Sequence, residues 1–89
     1  MRYQYRFLLL DTDRNLTLLF GYRLALSPAE TALVKALLTE GSAGVHTVAG
    51  IPARSLPVHV CSVNRKAAEI GGRRLIAYRD GAYRLNPMM

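Results

Sequence analysis

The sequence predicts a small α+β domain, with a short antiparallel sheet at the N terminus, about three helices and a C-terminal β-hairpin. Three observations predict it. Tyr3, Tyr5, Phe7 and Leu9 alternate with Gln4, Arg6, Leu8 and Leu10, the period of a strand. Ser27-Pro28-Ala29-Glu30 opens an apolar run in the manner of a capped helix. Pro57 to Leu85 reads as one helix, a Gly71-Gly72 stop and a tight Asp80-Gly81 hairpin.

Each element follows from local chemistry. After the first strand, Asp11-Thr12-Asp13-Arg14-Asn15 is a turn cluster, where Asp is expected for local hydrogen bonding. Leu16 to Phe20 returns as a second strand, Gly21-Tyr22 reverses, and Arg23 to Leu26 makes a short third one. Ser27 caps the next helix, Pro28 suits its first position and Glu30 completes a capping box. That helix runs to Gly41 with Leu33, Ala36 and Leu37 as its core stripe. Between residues 42 and 56, Gly44, Gly50 and Pro52 break any long helix, and Val45 to Ala49 has room for about one turn.

Val60, Val63, Ala67 and Ile70 mark one buried face of a helix from about Pro57 to Ile70. The opposite face carries Val58, Cys61, Ser62, Arg65 and Glu69, flanked by His59 and Lys66. In the hairpin, a two-residue turn at Asp80-Gly81 pairs Tyr78 with Tyr83 and Ile76 with Leu85. These four are expected on one face, toward the core. Leu75, Ala77, Arg79, Ala82 and Arg84 are expected on the other.

A chain of 89 residues makes one domain, residues 1–89, burying roughly 60% of its unfolded surface. Within it, 1–26 is the sheet, 27–72 the helical core and 73–86 the hairpin. The composition, 51% apolar and 20% charged, is that of a folded chain. No apolar run approaches the ~18 residues of a membrane helix, and nothing resembles a signal peptide, so a cytoplasmic protein without membrane contact is expected. One Cys and two His suit neither a disulfide nor a metal site. Cys61 and His59 stand two apart on a helix and diverge, and no phosphate-binding glycine loop is present. No enzymatic activity, cofactor, metal or small-molecule substrate is expected.

The net charge of +6 is uneven. Residues 1–43 carry five basic and four acidic groups, whereas residues 44–89 carry seven basic and two acidic. Such clustering is the footprint of a polyanion partner, or of a solvated basic surface that only aids solubility. A helix beside a basic hairpin favours the first: a helix fits the major groove, and a hairpin can reach phosphates or the minor groove.

The order of elements and three motifs resemble the winged helix-turn-helix DNA-binding domain of OmpR/PhoB-type response regulators over nearly the whole chain. The family's L-T-x-x-E opening stands here as Leu26-Ser27-Pro28-Ala29-Glu30. Its recognition helix, V-x-V-H-I-x-x-L-R-K, stands as Leu56 to Arg65, and its wing motif as Arg79-Asp80-Gly81-Ala82-Tyr83-Arg84-Leu85. The resemblance implies a transcriptional regulator that binds double-stranded DNA, with helix 57–70 in the major groove and hairpin 73–86 on the backbone or minor groove. No receiver domain is expected ahead of this one, and with it no phosphoacceptor site. The segment between Gly41 and Leu56 is shorter than the family's positioning helix and loop, a loop that in the family contacts polymerase or steadies the helix-turn-helix.

The expected DNA contacts are His59, Ser62, Asn64, Arg65, Lys66, Arg73, Arg74, Arg79 and Arg84. Cys61, Ser62 and Asn64 occupy positions where the family places arginines, and Ser62 and Asn64 retain hydrogen-bonding capacity. Arg65 and Lys66 end the exposed helix face within reach of phosphates, and Arg73 and Arg74 flank the helix stop. Arg79 matches the family's minor-groove arginine, and Arg84 the last basic residue of its wing. His59 serves packing or capping more readily than phosphate contact. The rival readings are a protein-interaction module with little DNA affinity and a homodimerisation unit pairing the Tyr3 and Tyr5 edge between chains. An RNA-binding variant stays open, although a platform of exposed aromatics is not evident.

Overall fold

The structure is a computed structural model and describes residues 1–87. Four strands, β1 (Arg2–Tyr5), β2 (Leu8–Asp11), β3 (Leu16–Leu19) and β4 (Tyr22–Arg23), form an antiparallel sheet in sequence order. The expected first strand is therefore two strands. The chain reverses at Arg6-Phe7, a turn that no Gly, Pro, Asn or Asp announces, and Arg6 enters the left-handed region at φ 52. A two-residue turn shifts the alternation by one: Tyr5 pairs with Leu8 and Tyr3 with Leu10. Leu8 and Leu10 thus enter the core, while Phe7, expected to share the face of Tyr5, is 61% exposed. The Asp11 carboxylate accepts from the Asp13 and Arg14 N–H groups, the local bonding expected of that turn.

Helix α1 (Pro28–Glu40) begins as its sequence requires. The Ser27 hydroxyl accepts from the Glu30 N–H at 3.2 Å, and the Glu30 carboxylate accepts from the Ser27 N–H at 2.7 Å. Helix α2 (Leu56–Gly71) has Pro57 in its first turn and ends where Gly72 takes a left-handed φ of 72°. Leu33, Val34 and Leu37 of α1 meet Val60, Val63 and Ala67 of α2 in one core with Leu8, Leu19, Leu75 and Ile76.

Among the described residues there are two α-helices, where about three were expected. The middle segment holds only two short 3₁₀ turns, Gly41–Ala43 and Ala53–Ser55. Gly44 and Gly50 have φ of 79° and 85°, which no helix accommodates. Between them Val45 exchanges two backbone hydrogen bonds with Tyr83, at 2.8 and 2.9 Å. The segment is thereby joined by a single antiparallel bridge to the hairpin of β5 (Ile76–Arg79) and β6 (Ala82–Leu85).

The hairpin register is the expected one, with Tyr78 opposite Tyr83 and Ile76 opposite Leu85. Its faces differ from expectation. Tyr78 is 64% exposed, whereas Ala82, expected outside, is 1% exposed. The reason is the Gly44-Val45 segment, which lies against the Ala82 and Arg84 side of the hairpin. A Cβ at Gly44 would stand 2.8 Å from that of Ala82. Gly44→Ala is therefore expected to cost about 2 kcal/mol, from crowding and a disfavoured φ together. A lower urea midpoint with an unchanged m-value is the expected result, and an unchanged midpoint would show that the segment yields freely.

Candidate nucleic-acid interface

Helix α2 turns one face to the core and the other to solvent. Leu56, Val60, Val63 and Ala67 are buried, while Val58, Cys61, Arg65 and Glu69 are exposed. His59, Ser62, Asn64 and Lys66 are half-buried at the borders between the two. The helix ends against the first sheet, where a Cβ at Gly71 would lie 2.6 Å from the Phe20 ring.

Among the expected contact residues, Asn64, Lys66 and Arg84 have polar ends bonded to other parts of the fold. The Asn64 amide donates to the Ile76 carbonyl at 3.0 Å and accepts from the Ile76 N–H at 2.7 Å. It ties α2 to the base of the hairpin, at a residue only 1% exposed. Lys66 Nζ stands 2.6 Å from Glu30 Oε1, bridging α2 to the start of α1. The Ser62 hydroxyl helps to hold the same carboxyl low. Arg84 donates through Nε to the Ser42 carbonyl at 3.0 Å and through its terminal nitrogen to the Arg79 carbonyl. Its guanidinium braces the hairpin and is not the outward cation that alternation suggested.

Glu30 is the residue whose weight the sequence understated. A capping box was legible, but not that its carboxylate would be 3% exposed and serve as the meeting point of α1 and α2. Burial pushes this carboxyl up. Hydrogen bonds from Lys66, the Ser27 backbone and the Ser62 hydroxyl outweigh it and hold the carboxyl at about 2, below its ordinary 4.5.

The exposed arginines among the expected contacts are Arg65 of α2, Arg73 and Arg74 of the connection, and Arg79 at the hairpin tip. A shallow groove of about 570 Å³ runs between α2 and the hairpin. Cys61, Arg65 and Ala68 line one side, and Arg74 and Tyr83 the other. Two cations from separate elements thus border one open groove. Arg79 and Arg84 border a different cleft, of about 510 Å³, facing Tyr5 and the end of α1. Tyr83, expected to face the core, borders the α2 groove, and the exposed Tyr78 ring meets it edge-on with centroids 4.9 Å apart.

Among the described residues, no group of three or more His, Cys, Asp or Glu side chains could hold a metal ion, and no helix is long and apolar enough to cross a membrane.

No protein-family model matches the sequence, and no curated protein matches it. A solved structure does resemble it: the RstA DNA-binding domain of Klebsiella pneumoniae, in complex with the RstA box. The TM-score is 0.69 at 22% sequence identity, over 97% of this chain and 97% of that one. The likeness shows the fold. The chain has the winged-helix architecture that its order of elements and motifs led one to expect, with the C-terminal hairpin as the wing.

Proposed function

We propose that this winged-helix domain binds double-stranded DNA and serves transcription regulation, with α2 in the major groove and the hairpin against the backbone or minor groove. The observation that carries the reading is the groove between α2 and the hairpin, bordered by Arg65 from α2 and Arg74 from the connection that leads into the hairpin. It lies in the half of the chain where basic groups outnumber acidic ones seven to two. The similar domain in complex with the RstA box supports the same reading.

In this arrangement Arg65, Arg73, Arg74 and Arg79 meet phosphates, or in the case of Arg79 the minor groove, and His59 stands at the border of the helix face. Ser62, Asn64, Lys66 and Arg84 act indirectly, by holding α2 and the hairpin in place. The role is one of binding, without chemistry on the nucleic acid.

Fluorescence anisotropy of a labelled random-sequence duplex at several salt concentrations tests the proposal. Binding with Kd on the order of 10⁻⁴–10⁻⁶ M that falls steeply with salt is expected. Arg65→Ala and Arg79→Ala should each weaken binding to all sequences and flatten the salt slope by about one. A slope left unchanged by either variant removes that arginine from the interface, and no binding at low salt sinks the proposal.

A second reading rests on the first sheet, where Phe7 and Tyr22 are 61% and 68% exposed and β1 is an edge strand. These features suit a protein partner or a second copy of the chain. Sedimentation that shows mass rising with concentration, without DNA affinity, would favour it.

A further inference from the structure

The exposed face of α2 has an unusual chemistry for a helix proposed to read base pairs. Val58, Cys61 and Arg65 follow one another at spacings of three and four, so they form one stripe along the helix. All three are exposed, Val58 at 68%. Ser62 and Asn64, the two polar side chains expected to hydrogen-bond bases or phosphates, are half-buried beside this stripe. The Ser62 hydroxyl helps to hold the Glu30 carboxyl low, and both ends of the Asn64 amide are bonded to the Ile76 backbone. His59 is half-buried at the border. The first two turns of the stripe therefore present an isopropyl group and a thiol, and its cation comes only afterwards, at Arg65.

In the major groove, thymine is the base that presents an apolar group, its C5 methyl. Guanine, cytosine and adenine present hydrogen-bonding groups that a valine or a thiol cannot satisfy, and desolvating these unpaired disfavours the wrong base. We infer that Val58 and Cys61 select DNA by packing on thymine methyl groups, while Arg65, a turn further on, contacts phosphate. The inference rests on the proposed entry of α2 into the major groove and adds to it the class of sequence preferred. The bound site carries thymines where the first two turns of α2 meet the groove.

The test compares two short duplexes, alternating dA–dT and alternating dA–dU. They differ only in the C5 methyl, which lies in the major groove, so the hydrogen-bonding groups of the minor groove and the phosphates are the same in both. The alternating repeat offers a methyl in every register, so no operator need be known. The wild-type chain is expected to bind the thymine duplex roughly four- to fifteenfold more tightly, the effect of one to two buried methyl groups. Val58→Ala and Cys61→Ala should each shrink that ratio, and the double variant should bring it close to one. Val58 and Cys61 are exposed, and unchanged circular dichroism and melting would confirm that the variants fold.

Equal wild-type affinity for the two duplexes would overturn the inference and leave DNA binding standing. A thymine preference that survives in the double variant would overturn the assignment to Val58 and Cys61. Failure to bind either duplex at low salt would overturn the DNA proposal itself, and the inference with it.

Discussion

Glu30→Gln is expected to lower stability by about 3 kcal/mol at neutral pH and to have no such effect near pH 2. In the folded chain the Glu30 carboxyl is held at about 2, against an ordinary 4.5. A depressed carboxyl contributes stability that is fully present above its unfolded pKa and is lost as pH falls through the folded one. The window is therefore about pH 4.5 down to about 2. The size follows because each tenfold change in proton affinity between the folded and unfolded chain is worth roughly 1.36 kcal/mol. A chain of this length has on the order of 4–13 kcal/mol in total, so this one carboxylate matters. The physical cause is concentration of roles. The same group completes the cap of α1 and pairs with Lys66 of α2, with the Ser62 hydroxyl adding to its stabilisation. Urea denaturation of both proteins across this pH range provides the check. Convergence of the two stability curves toward pH 2 is expected, and parallel curves would mean that Glu30 titrates as an ordinary surface carboxyl.

Asn64→Ala is expected to cost about 2–4 kcal/mol and to loosen the hairpin from α2. The Asn64 amide satisfies both the N–H and the carbonyl of Ile76, a residue 1% exposed. Removing it leaves two buried backbone groups without these partners, and each such orphan costs about 1–3 kcal/mol. Asn64→Asp should rescue only in part, since a carboxylate can accept from the Ile76 N–H but cannot donate to its carbonyl. Hydrogen exchange distinguishes a local from a global effect. Faster exchange of the Ile76 amide than of the α1 amides is the expected pattern. Equal protection in variant and wild type would show that the hairpin is held by its apolar residues alone. If the hairpin and α2 act together on DNA, Asn64→Ala should also weaken DNA binding while leaving the charge of the interface untouched.

Local chemistry alone was enough for several elements. Ser27, Pro28 and Glu30 stand within four residues and announce α1, because capping is a short-range bond. Asp80-Gly81 announced the hairpin and its register, because a two-residue turn with both φ positive leaves one pairing open. The apolar spacing of Val60, Val63 and Ala67 settled which side of α2 is buried. The turn at Arg6-Phe7 was not legible. Its residues carry no turn signal, and the reversal is imposed by pairing of Tyr3 and Tyr5 with Leu10 and Leu8. The middle segment was readable as broken but not as bridged to the hairpin, because the hydrogen bonds of Val45 go to Tyr83, far along the chain.

The same division runs through the interface. Composition by itself determined that the second half of the chain is basic, and periodicity that α2 has an outward face with Arg65 on it. Only the tertiary structure decided which polar groups are committed. Lys66 and Ser62 turn to Glu30, Asn64 to Ile76 and Arg84 to Ser42, all partners more than ten residues away in sequence. A buried carboxylate or backbone amide must be satisfied by whatever donor packing brings near, and helical periodicity carries no record of that demand.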